Sequence, residues 1–450
     1  LIPASSGSLL QPNRRIWAIA GPAIIANSSA PLVGLVDTWV VGHLPGAVHL
    51  AAVGVGATIF SFLFWGFGFL RMSTTGLIAQ AYGQSDTDGM ARTLLRSALL
   101  GLVIAAVLLL LQKAIYMIGT NVLLPPESTK GYLEDYFFIR IWSAPAVLFV
   151  YSFSGYLLGT AQAKAALWLQ LILNICNGLL NLLFVLGFGL GVAGIALGSL
   201  IAEWLAASFG CYLLFKHFGL KPLRAAFADQ TTWHLEKLKK LLSTNTYIFL
   251  RTLLLMIALA LITRKAAALG EATLAANQVL MTFLLLISLG LDAFAHTAEA
   301  FVGAAYGKGD KREIRFWIVR TSLWAGGIAG LYSLGFFFGG QALVSTLTDI
   351  EPVRAAARLA LPVMVLMPVF SVWCYQFDGI YIGMTAGRGM LATMAIAFAV
   401  YVSVMPALTA TYGLTGLWLA VMVFMSTRGL AQLIYYPRIE RQLDVAAKSS

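Results

Sequence analysis

The chain has 450 residues, 59% of them hydrophobic and only 11% charged, with a mean hydropathy of +0.83. This excludes a water-soluble globular domain and reads as an all-α polytopic membrane protein, because apolar runs long enough to cross a bilayer as helices recur with few charges, whereas a barrel needs alternating polarity. The net charge of +11 does not point to nucleic acid: the basic residues lie in short loops on alternate sides of the apolar runs, as expected next to an anionic cytoplasmic leaflet.

In chain order, the N-terminal LIPASSGSLLQPNRR lacks the long apolar core and cleavage site of a removable signal peptide. Hydropathy, turn residues and charged loops then place twelve spans at roughly 14–41, 51–81, 90–117, 129–158, 164–186, 192–216, 238–266, 273–304, 312–338, 353–383, 388–410 and 415–437. Most of the 30 Lys and Arg residues fall on the side of the N-terminus, which predicts both termini in the cytoplasm.

Span 1 holds one acid, Asp37, in an otherwise uncharged apolar helix, together with Pro22, Pro31 and Gly34. An ionised carboxylate in hydrocarbon is costly enough that such a residue is by default functional. A helical proline removes a backbone donor and clashes with the preceding turn, so Pro22 is a candidate hinge. Span 2 carries a lone Arg71, with salt bridging and contact to an anionic substrate as its two readings.

On span 5, Asn174, Asn177 and Asn181 are spaced to line one helix face. Asparagine both donates and accepts, so this stripe can serve Asp37 in either protonation state, or can join helices. Glu203 on span 6 is a second candidate proton carrier or a structural partner. Residues 217–237 are the longest polar interruption and read as a cytoplasmic linker with a short amphipathic segment, dividing an N-terminal lobe (1–216) from a C-terminal lobe (238–450).

In the second lobe, Asp292, His296 and Glu299 share one face of span 8, with Arg251 on span 7 as a candidate neighbour and Asp378 in span 10 as a further acid. A relay and an internal packing network both fit them. The three cysteines, Cys176, Cys211 and Cys374, fall inside spans and read as small buried residues. No metal-ligand spacing, Walker loop, GxSxG elbow or dinucleotide fingerprint is present, so neither an enzyme nor a cofactor is expected.

The two lobes are copies. The segment from Leu50 to Asp86 aligns without a gap to Leu274–Asp310, an offset of 224, with Leu-Ala-Ala opening both and Ala-Tyr-Gly-x-x-Asp closing both. The same offset pairs Arg96 with Arg320, Gly155 with Gly379 and Gly159 with Gly383, while Gly191 and Gly194 match Gly413 and Gly416 at 222. Six spans per copy is an even number, so the copies are expected to share one orientation, related by a pseudo-two-fold axis along the membrane normal.

Together, GLVDTWVVGHL in span 1, FGFLRMSTTGLIAQAYGQ ending span 2, FDGIYIG in span 10 and the paired Gly-x-x-Gly starts of spans 6 and 12 resemble the multidrug and toxic compound extrusion (MATE) transporters, with the DinF-like branch the best fit. The resemblance covers essentially the whole chain. It implies two lobes around a cavity that opens to alternate sides, and export of amphipathic or cationic organic compounds against a proton or sodium gradient. It also implies that Asp37 is the protonation site and that helix 1 bends at Pro22. Related members place a second acid on span 5 where this chain has Asn181, a departure that favours protons over sodium.

The expected protein is thus a proton-coupled multidrug antiporter of the bacterial inner membrane. It is expected to work as a monomer among lipids, without nucleic acid. A sodium-coupled exporter and a flippase of lipids or lipid-linked sugars are the alternatives, and a channel or receptor is the reading from a different class, disfavoured because no filter loop is present.

Overall fold

The computed structural model describes residues 10–42, 44 and 46–449; residues 1–9, over which the signal-peptide reading runs, lie outside the described residues. The first half contains α1 (Leu10–Gly42), α2 (Ala47–Gly66), α3 (Phe69–Gly83), α4 (Thr87–Leu110), α5 (Gln112–Leu123), α6 (Glu127–Arg140), α7 (Ala144–Gly159), α8 (Ala163–Leu182) and α9 (Gly191–Phe218). A connecting α10 (Leu220–Ala228) leads to α11 (Leu235–Ala268), α12 (Glu271–Lys308), α13 (Lys311–Leu347), α14 (Glu351–Gly383) and α15 (Gly387–Ser449).

Among the described residues, 11 helical stretches are long and apolar enough to cross a membrane. The last is really two spans, because Gly413 interrupts α15 with φ 55° and ψ −129°, a conformation closed to residues bearing a β-carbon. The fold is therefore the expected all-α membrane fold of twelve spans. Its interruptions follow local chemistry. Span 2 breaks at Phe67 between α2 and α3. Span 4 breaks at a 3-10 turn, Ile141–Ser143, just ahead of Pro145 in the first turn of α7, where the missing N–H costs no helical bond. Span 3 is shorter than expected, ending at Leu110, after which α5 runs as a separate short helix with no buried residue.

Close packing divides the chain into two units, residues 25–242 and residues 1–24 with 243–450. The chain thus changes unit at residues 24/25, within α1, and at 242/243, within α11. In the second unit, Trp17 of α1 packs edge-on against Phe294 and Trp324, and Arg15 lies over Trp317 at 4.9 Å. Trp324 also donates from Nε1 to Asn13 Oδ1 at 3.1 Å. In the first unit α7 packs on α3 and α4, and α8 on α9; in the second α14 occupies the matching central place against α12, α13 and α15.

The duplication reappears in the backbone. Ser85 and Gly309, Ala161 and Thr385, each pair 224 residues apart, are all left-handed residues at helix ends. The acid that closes each Ala-Tyr-Gly-x-x-Asp motif caps the following helix: Asp86 accepts from the Gly89 N–H, Asp310 from those of Arg312 and Glu313. Gly155 and Gly159 lie against the carbonyls of Arg71 and Thr75, and Gly379 and Gly383 against those of Ala295 and Glu299, again 224 residues on.

Candidate functional site

In the first unit, the second part of α1 presents Asp37 to α8. Asn181 Nδ2 donates to Asp37 Oδ1 at 2.6 Å. The same Nδ2 reaches Asn177 Oδ1 at 3.1 Å, and Asn177 Nδ2 donates to Ser199 Oγ on α9 at 2.9 Å. Asn181 and Asn177 are buried and Asp37 is half-buried. A turn of α8 earlier, Asn174 donates to Ser29 Oγ of α1 at 2.6 Å and accepts from Gln170 at 3.1 Å. The asparagine stripe thus both fastens α1 to α8 and carries the acid's hydrogen bond.

Asn181 Oδ1 is buried without a hydrogen-bond partner and points at Gly198, whose missing side chain leaves it room. An amide with one end on a carboxylate and its oxygen unused has a second state available: on protonation of Asp37, rotation of the amide offers that oxygen as acceptor for the new O–H.

Glu203 stands on α9 one turn beyond Ser199, half-buried. Arg71, half-buried on α3, acts electrostatically with Glu203 on Tyr151 of α7. Sequence reasoning missed a further cation: Arg140, at the last position of α6, whose charge acts on both Asp37 and Glu203. Pro22 lies inside α1, three residues ahead of Ile25, where the chain enters this unit.

The second unit holds a different arrangement. Asp378 on α14 accepts on Oδ2 from Arg251 Nη2 of α11 and from Arg428 Nη2 of α15 at 2.5 Å, and on Oδ1 from Gln432 Nε2 at 2.8 Å. Arg251, Arg428, Gln432 and Asp378 are all buried. Arg251 forms an ion pair with Asp378, and half-buried Asp292 of the α12 face also acts on it electrostatically. His296 and Glu299 follow along α12, the former half-buried and the latter 2% exposed. This centre joins three helices through one carboxylate.

Outside the spans, the linker is docked. Arg92 of α4 pairs with Asp229 at 3.1 Å, and Arg96 donates to the carbonyls of Thr232 and Thr231 at 2.6 and 2.9 Å. Leu223 and Ala226 of α10 pack on Ala91.

The MatE family model matches residues 22–184 and again 248–409, once for each half. The chain belongs to the MatE family. This MatE chain is 37% identical to the DNA damage-inducible protein F of Escherichia coli K12, over 94% of its own length and 92% of that protein's. It is 27% identical to the Arabidopsis thaliana chloroplastic protein DETOXIFICATION 44, over 92% and 80% of the two chains. Its fold matches a crystal structure of a MATE in the bent conformation with a TM-score of 0.85 at 20% identity, covering 97% of both chains. Vibrio cholerae MATE transporter VcmN in the bent form gives 0.84 at 19%, over 96% and 98%. The MatE protein is accordingly a multi-pass membrane transporter of the DinF-related kind, and not an enzyme.

Proposed function

We propose that this MatE transporter exchanges protons for amphipathic or cationic organic compounds by alternating access. We place it in a bacterial inner membrane, as a monomer with both termini in the cytoplasm. The observation that carries this reading is the Asp37–Asn181 hydrogen bond: a carboxylate inside a span, held by a buried amide able to serve either protonation state. A proton arriving on Asp37 removes the cost of keeping a carboxylate out of water and exchanges its hydrogen-bond pattern. Helix α1 responds at Pro22, whose ring leaves the Ala18 carbonyl without its helical donor. Two conformations biased by one proton are all that coupling requires.

Sodium coupling is the second reading, supported by the unused Oδ1 of the same Asn181 amide that binds the carboxylate, since oxygen atoms are what a hard cation seeks. Dye export from proteoliposomes under separately imposed proton and sodium gradients separates the two. Export driven by the proton gradient and lost in Asp37→Asn supports the proposal. Export that follows sodium alone, or that persists at the wild-type rate in Asp37→Asn, rejects it.

A further inference from the structure

The hydrogen-bond chain from Asp37 through Asn181 and Asn177 ends on Ser199, and Glu203 follows four residues later on the same face of α9. The neighbouring Trp204 donates from Nε1 to the Trp142 carbonyl at 3.2 Å. That bond fastens this turn of α9 to the 3-10 turn that begins immediately after Arg140. Arg140 itself is held over the Phe60 ring at 5.6 Å, yet its Nε and Nη1 are buried with no hydrogen-bond partner. A guanidinium with unused buried donors is costly unless nearby negative charge balances it. The carboxylates its charge reaches are Asp37 on α1 and Glu203 on α9. The charges of Asp37 and Arg140 also act on Tyr136, one turn earlier on α6, and those of Glu203 and Arg71 on Tyr151 of α7.

We infer that Arg140 is the positioning residue of the proton site: Asp37, Glu203 and Arg140 act as one titrating unit that binds a single proton, the guanidinium partnering whichever carboxylate stays ionised. Two carboxylates and one guanidinium sum to a single negative charge, and a poorly solvated interior favours the neutral total that one proton creates. The break in span 4 directly after Arg140 gives its side chain a local element that can shift without unwinding α7. This inference rests on the proton-coupled reading of Asp37.

The charge count predicts a reciprocal rescue, measured as the pH midpoint of proton-driven dye export and of proton uptake in proteoliposomes of the full chain. Glu203→Gln leaves Asp37 facing Arg140 alone, so the midpoint falls by about one pH unit or more. Arg140→Gln leaves two carboxylates without a countercharge, so the midpoint rises by a similar amount, about one unit. The double variant restores the single negative charge and returns to within about half a unit of wild type. A double variant that keeps the Arg140→Gln defect, or adds the two defects, overturns the inference, because a merely structural arginine is not rescued by removing an acid. Where Arg140→Gln fails to fold, Glu203→Gln decides alone: an unchanged midpoint overturns the unit, a lowered one supports it. Failure of the parent reading looks different, since export then ignores the proton gradient already in the wild type.

Discussion

Gly155 on α7 faces the main-chain carbonyl of Arg71 on α3 so closely that a β-carbon there would lie 2.7 Å from the oxygen. The second half repeats the contact between Gly379 and the Ala295 carbonyl. Backbone offers no flexible end to give way, so Gly155→Ala and Gly379→Ala are each expected to destabilise by about 1–3 kcal/mol. The control is Gly131→Ala on α6, where an added β-carbon meets nothing within 4 Å. Thermal unfolding in detergent checks this: equal midpoints for Gly155→Ala and Gly131→Ala would mean that the two helices do not approach so closely.

Asp378 holds two buried arginines from different helices. Asp378→Asn removes the carboxylate that both guanidiniums pair with, leaving them undercompensated inside the second unit. A loss of about 3–5 kcal/mol is expected, the penalty typical of breaking a buried pair from one side. Arg251→Gln leaves Asp378 still paired with Arg428 and costs less. The ranking is read from melting midpoints of the purified variants, and it fails if Arg251→Gln is the more damaging of the two.

The spans were legible because hydropathy reports burial in lipid directly, and the duplication because it left the Ala-Tyr-Gly-x-x-Asp turns and the Gly155/Gly379 contacts intact in both copies. Asp37 stood out as an acid without neighbours of its own kind, and three-residue and four-residue spacing put Asn177 and Asn181 on one face. Partner choice was not legible. Periodicity says which residues share a helix face and not every helix that face meets, so the spacing that suggests Arg251 as a neighbour of the α12 face does not reveal its ion pair with Asp378. Arg428 and Gln432 passed unnoticed for the same reason. Arg140 was hidden differently: it falls inside span 4 a few residues after Glu134 and Asp135, and nothing in its spacing shows that its charge acts on Asp37 and Glu203 from other helices.

Asn181 donates to the charged form of Asp37, and a bond to an ionised acceptor is worth about 1.5–3 kcal/mol. Asn181→Ala withdraws it, which disfavours the ionised carboxylate relative to the protonated one. The pH midpoint of transport is therefore expected to rise by about one unit, given about 1.4 kcal/mol per unit. Asn174→Ala, which loses the Ser29 bond between α1 and α8 and the Gln170 bond within α8 but touches no bond of Asp37, is expected to slow transport without moving the midpoint. A shared shift in both variants would show that the stripe acts only by holding the helices together.

The linker's attachment depends on pH in one direction. Asp229 lies outside the spans, and hydrogen bonds from the Thr231 hydroxyl and N–H, with Arg92 beside it, hold its carboxyl below the usual carboxylate range. A carboxyl lowered in the folded state supports docking at every pH above its ordinary value of about 3.9, and that support is lost as pH falls through the lowered value. Hydrogen exchange across residues 220–234 is therefore expected to show unchanged protection from about pH 5 to 8 and a loss only in stronger acid. Arg96 supplies the other half of the attachment through the Thr231 and Thr232 carbonyls, which do not titrate. Arg96→Ala is expected to raise exchange in this segment about tenfold or more at neutral pH, since each bond from a charged donor contributes on the order of 1.5–3 kcal/mol. Protection unaltered in Arg96→Ala would mean that apolar packing of Leu223 and Ala226 on Ala91 holds the linker unaided.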